Sequence, residues 1–202
     1  MRPLMLEPVR ITPPAGYPVT LAEAKDHLHV DDGDSNSRIA FLIAAATEKL
    51  DGWNGELGRC LITQTWRVDF DRFPCDPRLD LPFGPVQSVT VKYSAAENVE
   101  QTFDPAKYGL HEDALGPFLA LADTEGAWPG TYARRDAVRI TIVAGYGTAD
   151  SVPEPIKQII LFVVGHWFTN REGVVMGQSP VELPMAIAEL LVNYRYPSRA
   201  SL

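Results

Sequence analysis

Residues 153–172, PEPIKQIILFVVGHWFTNRE, read as one buried helix, and the rest of the chain needs it as a partner. Ile156, Ile159, Ile160, Val163, Val164, Trp167 and Phe168 fall at the spacing of a 3.6-residue period and form a wide apolar stripe. Leu161 and Phe162 add apolar surface on other faces, so neighbours are expected on more than one side. Pro153 and Pro155 suit a first turn, where the missing N–H would have no partner anyway. Asn170, Arg171 and Glu172 before Gly173 read as a solvated end. The run is too short and too closely flanked by charge for a membrane span.

Upstream, two shorter helices each have one face to bury. Thr20-Leu21-Ala22-Glu23 is a capping box opening the helix LAEAKDHL, with Leu21, Ala24 and Leu28 on one side. Asp31, Asp32, Gly33 and Asp34 break it, and Asp34 or Ser35 caps the next helix. There Ile39, Leu42, Ile43, Ala46, Leu50 and Trp53 keep helical register, and the expected end is Gly58. Trp53, Trp66 and Trp167 are assigned to the core.

Between these helices and residue 153 the period changes from 3.6 to 2. Ile62, Gln64, Trp66, Val68 and Phe70 alternate with polar residues, as do Val89, Val91 and Tyr93, and then Val138, Ile140 and Ile142. Weaker strands are expected at 79–81, 102–108 and 118–122. The connections are short and rich in Pro, Gly and Asp, which excludes crossover helices and predicts antiparallel pairing. Ala144-Gly145-Tyr146-Gly147 is the turn that hands the chain back.

The expected class is therefore α+β: a small bundle of three to four helices, an antiparallel β insertion between helix two and helix three, and extended N- and C-terminal arms. The boundaries are 1–18 for an N-terminal arm with five prolines and no period, 19–59 and 153–193 for the helical body, 60–147 for the insertion and 194–202 for a C-terminal tail. A Gly- and Pro-rich loop, 173–183, precedes a last helix opened by Pro184 with Ile187, Leu190 and Leu191 on one face.

Composition narrows the function. The chain has 202 residues, 46% hydrophobic and 22% charged, which is ordinary for a globular protein with a real core. With 18 basic and 26 acidic residues, the net charge is −8, a poor balance for gripping nucleic acid through its phosphates. No secretory signal is read at the N-terminus. Cys60 and Cys75 are too few for a disulfide framework and read as reduced thiols.

No motif specifies an active site. Asp32, Asp34 and Asn36 begin like a calcium loop, but the sixth position is Ser37 and the twelfth is Ile43, so a solvated turn and helix cap is the better reading. His27 and His29 diverge on a helix and read as surface residues. His166 could serve as a base in a small enzyme or ligand-binding module, which is the alternative function; a hydrogen-bonded core or interface histidine is the simpler reading. No G-x-S-x-G elbow, activated thiol or phosphate loop is present. No catalytic residue, cofactor or metal is expected.

Six segments in order, PVTLAEAKDHLHVDD, IAFLIAAATEKLDGW, GRCLITQTW, RITIVAGYG, PEPIKQIILFVVGHWFTNRE and PMAIAELLVNYRYP, resemble the head-tail connector (adaptor, or head-completion) proteins of long-tailed bacteriophages. The version with a β insertion, as in phage-derived gene transfer agents, is the most similar. The resemblance spans about 18–197 and implies a structural protein, not an enzyme. Its implied partners are copies of itself in a dodecameric ring, the portal protein, and a tail-side neck protein or tail terminator. DNA would pass through without specific binding, no membrane is involved, and the site of action is the particle neck, assembled in the bacterial cytoplasm. The tail residues Asn193, Tyr194, Arg195, Tyr196 and Arg199 are expected to dock on the portal, since tyrosine and arginine favour interface anchors.

Overall fold

In the computed structural model, which describes residues 3–170 and 191–196, the first helix begins where the sequence places its cap. The Glu23 amide donates to Thr20 Oγ1 at 3.2 Å and the Thr20 amide donates to Glu23 Oε2 at 2.7 Å, opening α1 (Leu21–Leu28). The Thr20 side-chain and backbone hydrogen bonds hold the Glu23 carboxyl below its ordinary pKa. His29 ends α1 in the left-handed region at φ 54°.

Helix α2 (Asn36–Leu50) stops well short of the expected Gly58. Asp51 turns to extended backbone and its carboxylate accepts the Leu61 amide at 2.7 Å. The chain then folds back over the helix end, where the Glu56 and Leu57 amides donate to Lys49 and Leu50 carbonyls that the helix itself leaves open. Gly55 makes this turn possible, since a Cβ there would lie 2.3 Å from the Leu50 carbonyl oxygen. Trp53 consequently sits beyond the helix and is half-buried rather than core.

Helix α3 (Glu154–Thr169) buries Ile156, Ile159, Ile160, Val163 and Val164 against Ile39, Ile43 and Leu50 of α2 and Ala24 of α1. Trp167 and Phe168 pack on the edge of this core, half-buried, so Trp167 is a rim residue. Arg38 ties α2 to α3, donating to the Trp167 and Phe168 carbonyls at 3.4 and 3.0 Å with its guanidinium 4.8 Å from the Phe168 ring centre. These carbonyls end a helix, where a cation is favoured. The helical unit comprises Ala15–Ile62 and Tyr146–Arg195. The loop 173–183 and the start of the last helix lie outside the described residues; 191–194 are helical, and Leu191 and Tyr194 pack on the core.

The second unit comprises Thr63–Gly145 with the described residues up to Pro14 and Tyr196. Its five-stranded sheet has the order β1-β2-β8-β4-β5, all antiparallel: β1 (Val9–Thr12), β2 (Gln64–Phe70), β4 (Val86–Ser94), β5 (Glu100–Thr102) and β8 (Val138–Ala144). Register places Trp66 opposite Ile142 and Ile142 opposite Val89, then Val68, Ile140 and Val91 in the next row, so the alternation read from the sequence becomes one apolar face. The smaller sheet has the order β3-β7-β6, from β3 (Arg78–Asp80), β6 (Tyr108–Asp113) and β7 (Gly116–Leu121).

Two expectations change here. The N-terminal arm, expected without regular structure, contains a strand: Val9 pairs with Arg67 and Arg10 with Trp66, making β1 an edge strand. All four of its residues are exposed, so no burial alternation marks it in the sequence. The expected strand at 102–108 is interrupted by a 3-10 turn, Pro105–Lys107, because Pro105 cannot donate to a ladder and Asp104 Oδ1 takes the Ala106 amide at 2.9 Å. An aromatic cluster fills this unit: Phe73 stacks on Trp128 at 4.9 Å and 6°, and Phe103 on Tyr108 at 5.7 Å and 14°. Cys60 is buried and Cys75 exposed, and neither is joined in a disulfide.

Candidate docking surface

The five tail residues fall into four groups. Asn193 and Arg195 are exposed, beside Val192, which is 72% exposed. Tyr194 is half-buried against the helical core, and its carbonyl accepts from Arg59 Nε at 2.6 Å. That bond satisfies one of the carbonyls that a helix end leaves open. Arg199 lies outside the described residues.

Tyr196 has a built seat among the strands. Its hydroxyl donates to Glu112 Oε1 at 2.5 Å, and its ring lies over two glycines. A Cβ on Gly84 would stand 2.6 Å from the Tyr196 hydroxyl oxygen, and one on Gly116 would stand 3.7 Å from Tyr196 Cδ1. Gly116 also adopts φ +126°, which side chains rarely tolerate. Glu112 and Gly116 flank the β6–β7 hairpin turn, whose tip residue Leu115 is 67% exposed.

Electrostatics pin that hairpin. Arg78 pairs with both Asp113 and Asp80, and its guanidinium lies 3.8 Å from the Phe118 ring centre. The Arg78 hydrogen bond, joined by the Leu115 amide, holds the Asp113 carboxyl below its ordinary range, and Asp113 in turn raises the pKa of Arg78. His111 stacks on Phe118 at 5.6 Å. These contacts fix a surface without arranging a nucleophile, a base or an oxyanion donor.

His166 Nδ1 lies 3.3 Å from Asn170 Nδ2 near the end of α3, and the ring is half-exposed. Asp32 Oδ1 accepts the Ser35 amide at 3.1 Å, the turn reading of that acidic run. His27 packs edge-on against Phe162 at 5.9 Å. Among the described residues, no three His, Cys, Asp or Glu side chains come together as metal ligands, and no helix is long and apolar enough to cross a membrane.

Sequence reasoning did not single out the most exposed large apolar side chains among the described residues: Val192, Phe41 on α2, which is 71% exposed, and Leu115. For Phe41 the signal was present. It falls between Ile39 and Leu42, outside the register that buries them.

Comparison with solved structures shows a fold shared along almost the whole chain. A chain in the neck of an empty gene transfer agent particle, computed with C6 symmetry, superposes with a TM-score of 0.76 and 20% identity, covering 96% of this chain and 97% of that one. A chain of the native gene transfer agent virion gives 0.71 at 19% identity, and one in the native neck computed with C12 symmetry gives 0.68 at 19%, each with the same coverage. No family model and no curated protein matches the sequence. The helical body with its β insertion is thus the fold of chains that stand in gene transfer agent particle necks.

Proposed function

We propose that this chain is a structural neck protein, an adaptor ring joining the portal of a DNA-filled capsid to the tail or to the next neck protein. The observation that carries this is the fold likeness over 96% of this chain and 97% of the neck chain, both units included. A partial match could reflect a common helical bundle; a match through the insertion and both flanking helices leaves little of the chain for another architecture. The C6 and C12 symmetries of the neck assemblies that hold the similar chains support self-association into a ring, for which we propose twelve copies.

In this reading the protein does no chemistry, and the surfaces described above serve contact. DNA passes through the ring without being held: at −8 per copy, the ring as a whole repels phosphate and lacks the basic excess that tight binding requires. The exposed Asn193 and Arg195, with Tyr194, Tyr196 and Arg199, form the portal-docking tail. Tyr196 has a defined part in this reading, held by its hydroxyl bond to Glu112, while Arg195 is exposed. Deleting 193–202 tests the assignment. The expected result is a folded protein and DNA-filled heads that carry no tails; normal tailed particles would overturn the docking role.

A further inference from the structure

The outer face of α2 has the wrong chemistry for water. From Ile39 to Thr47 the helix carries no charged side chain. Ile39, Leu42, Ile43, Ala46 and Thr47 go to the core, leaving Ala40, Phe41, Ala44 and Ala45 on the other side, where Ala40 and Phe41 are exposed. Alanine alone could reflect helix propensity, but phenylalanine is a poorer helix former and leaves a large apolar ring in solvent. A solvated face of this length normally carries Lys or Glu. Small residues around one aromatic instead make a low ridge with a single knob, a shape that lets another surface approach closely.

The same unit carries a second apolar patch on other helices. Phe162 of α3 is 37% exposed, with His27 of α1 edge-on to it. Gly165 and Leu28 extend the patch; a Cβ on Gly165 would meet His27 at 3.5 Å and Leu28 at 3.8 Å, so the surface between α1 and α3 is tight and already shaped. Two unlike patches on one subunit are what a head-to-tail contact needs, and such contacts form rings where the rotation between copies closes.

We propose that the Ala40–Phe41–Ala44 face of α2 is the surface by which one copy binds the next, seated on the His27–Phe162 patch of the neighbouring copy. The occupant is a second copy of this chain, an inference that rests on the neck-ring reading and on the cyclic assemblies that hold the similar chains.

Phe41→Lys and Phe162→Lys each spoil one patch and leave the other whole. Sedimentation velocity of the purified full-length chain should show rings for the wild type and loss of everything larger than a monomer for each variant. Mixing the two variants should restore dimers and nothing larger, because just one good pair of patches exists between them. Unchanged thermal melts show that the variants fold, and Ala40→Lys, at an exposed position, stands in if Phe41→Lys does not. Rings formed by either variant, or a mixture that stays monomeric, would overturn the interface while leaving the neck role standing. Unchanged rings with faster proteolysis within 173–183 would assign the α2 face to this chain's own segment and overturn it too. A wild-type chain that stays monomeric at every concentration contradicts both the interface and the ring.

Discussion

The two units hold themselves together differently. The helical unit is aliphatic, with Ile39, Leu50, Leu57, Ile156, Ile159 and Ile160 fully buried, and close fit between branched side chains is its main stabilising device. The strand unit buries rings, with Phe73, Phe103, Tyr108 and Trp128 in mutual contact, and laces its surface with ion pairs between Arg78 and Asp113, Lys92 and Glu100, and Arg134 and Asp136. Aliphatic contacts are insensitive to acid and salt, whereas surface ion pairs weaken with both.

Truncating one member of each core would break the comparison most forcefully. Phe73→Ala removes a ring stacked on Trp128 and should cost about 3–5 kcal/mol, with faster amide exchange concentrated in β2, β4 and β8. Ile160→Ala, at a position with no exposure, should cost about 2–5 kcal/mol, with the loss of protection concentrated in α2 and α3. Urea unfolding with exchange mass spectrometry reads both. Identical exchange patterns from the two variants would erase the distinction.

Thr20→Ala is the next step down. It removes the hydroxyl that takes the Glu23 amide and should cost about 1 kcal/mol, felt in α1 alone. A change below about 0.3 kcal/mol would show that the box contributes little beyond its geometry.

Acid sharpens the comparison with the gentlest effect. Asp113, Asp136 and Glu100 of the strand unit are held below their ordinary pKa values by Arg78, Arg134 and Lys92 respectively, and Glu23 of the helical unit by Thr20. A carboxyl lower in the folded state adds stability above its unfolded pKa and loses it as pH falls through the folded value. Stability should therefore hold near neutrality and decline as pH drops below the ordinary values of 4.5 for Glu and 3.8 for Asp. Exchange in the strands should rise first, since more of these carboxylates sit there. Equal loss in α2 and α3 would contradict the account.

The same contrast explains what could be read from the sequence. The helices announced themselves: the Thr20–Glu23 box and the stripe from Ile156 to Phe168 are local patterns with local causes. Strands β2, β4 and β8 were equally legible, since each buries one face and so alternates. What failed depends on contacts distant in sequence. Strand β1 exists because β2 accepts it, and its four exposed residues carry no mark of that pairing. The end of α2 is set by Asp51 reaching Leu61 and by Gly55 folding over Leu50, neither visible as a period. Of the candidate docking tail, the sequence carries the composition, rich in Tyr and Arg, but not the geometry. Nothing in NYRYP says that Tyr196 finds Glu112 across the chain, or that Gly84 and Gly116 leave room for its ring.

The most direct measurement is an image of the particle neck, reconstructed by electron cryomicroscopy from particles made with this chain. The account predicts a closed ring of copies between the portal and the next neck or tail component, each with the helical body and strand unit described here. Particles whose neck lacks this chain, or a lone folded molecule that turns over a substrate, would contradict it.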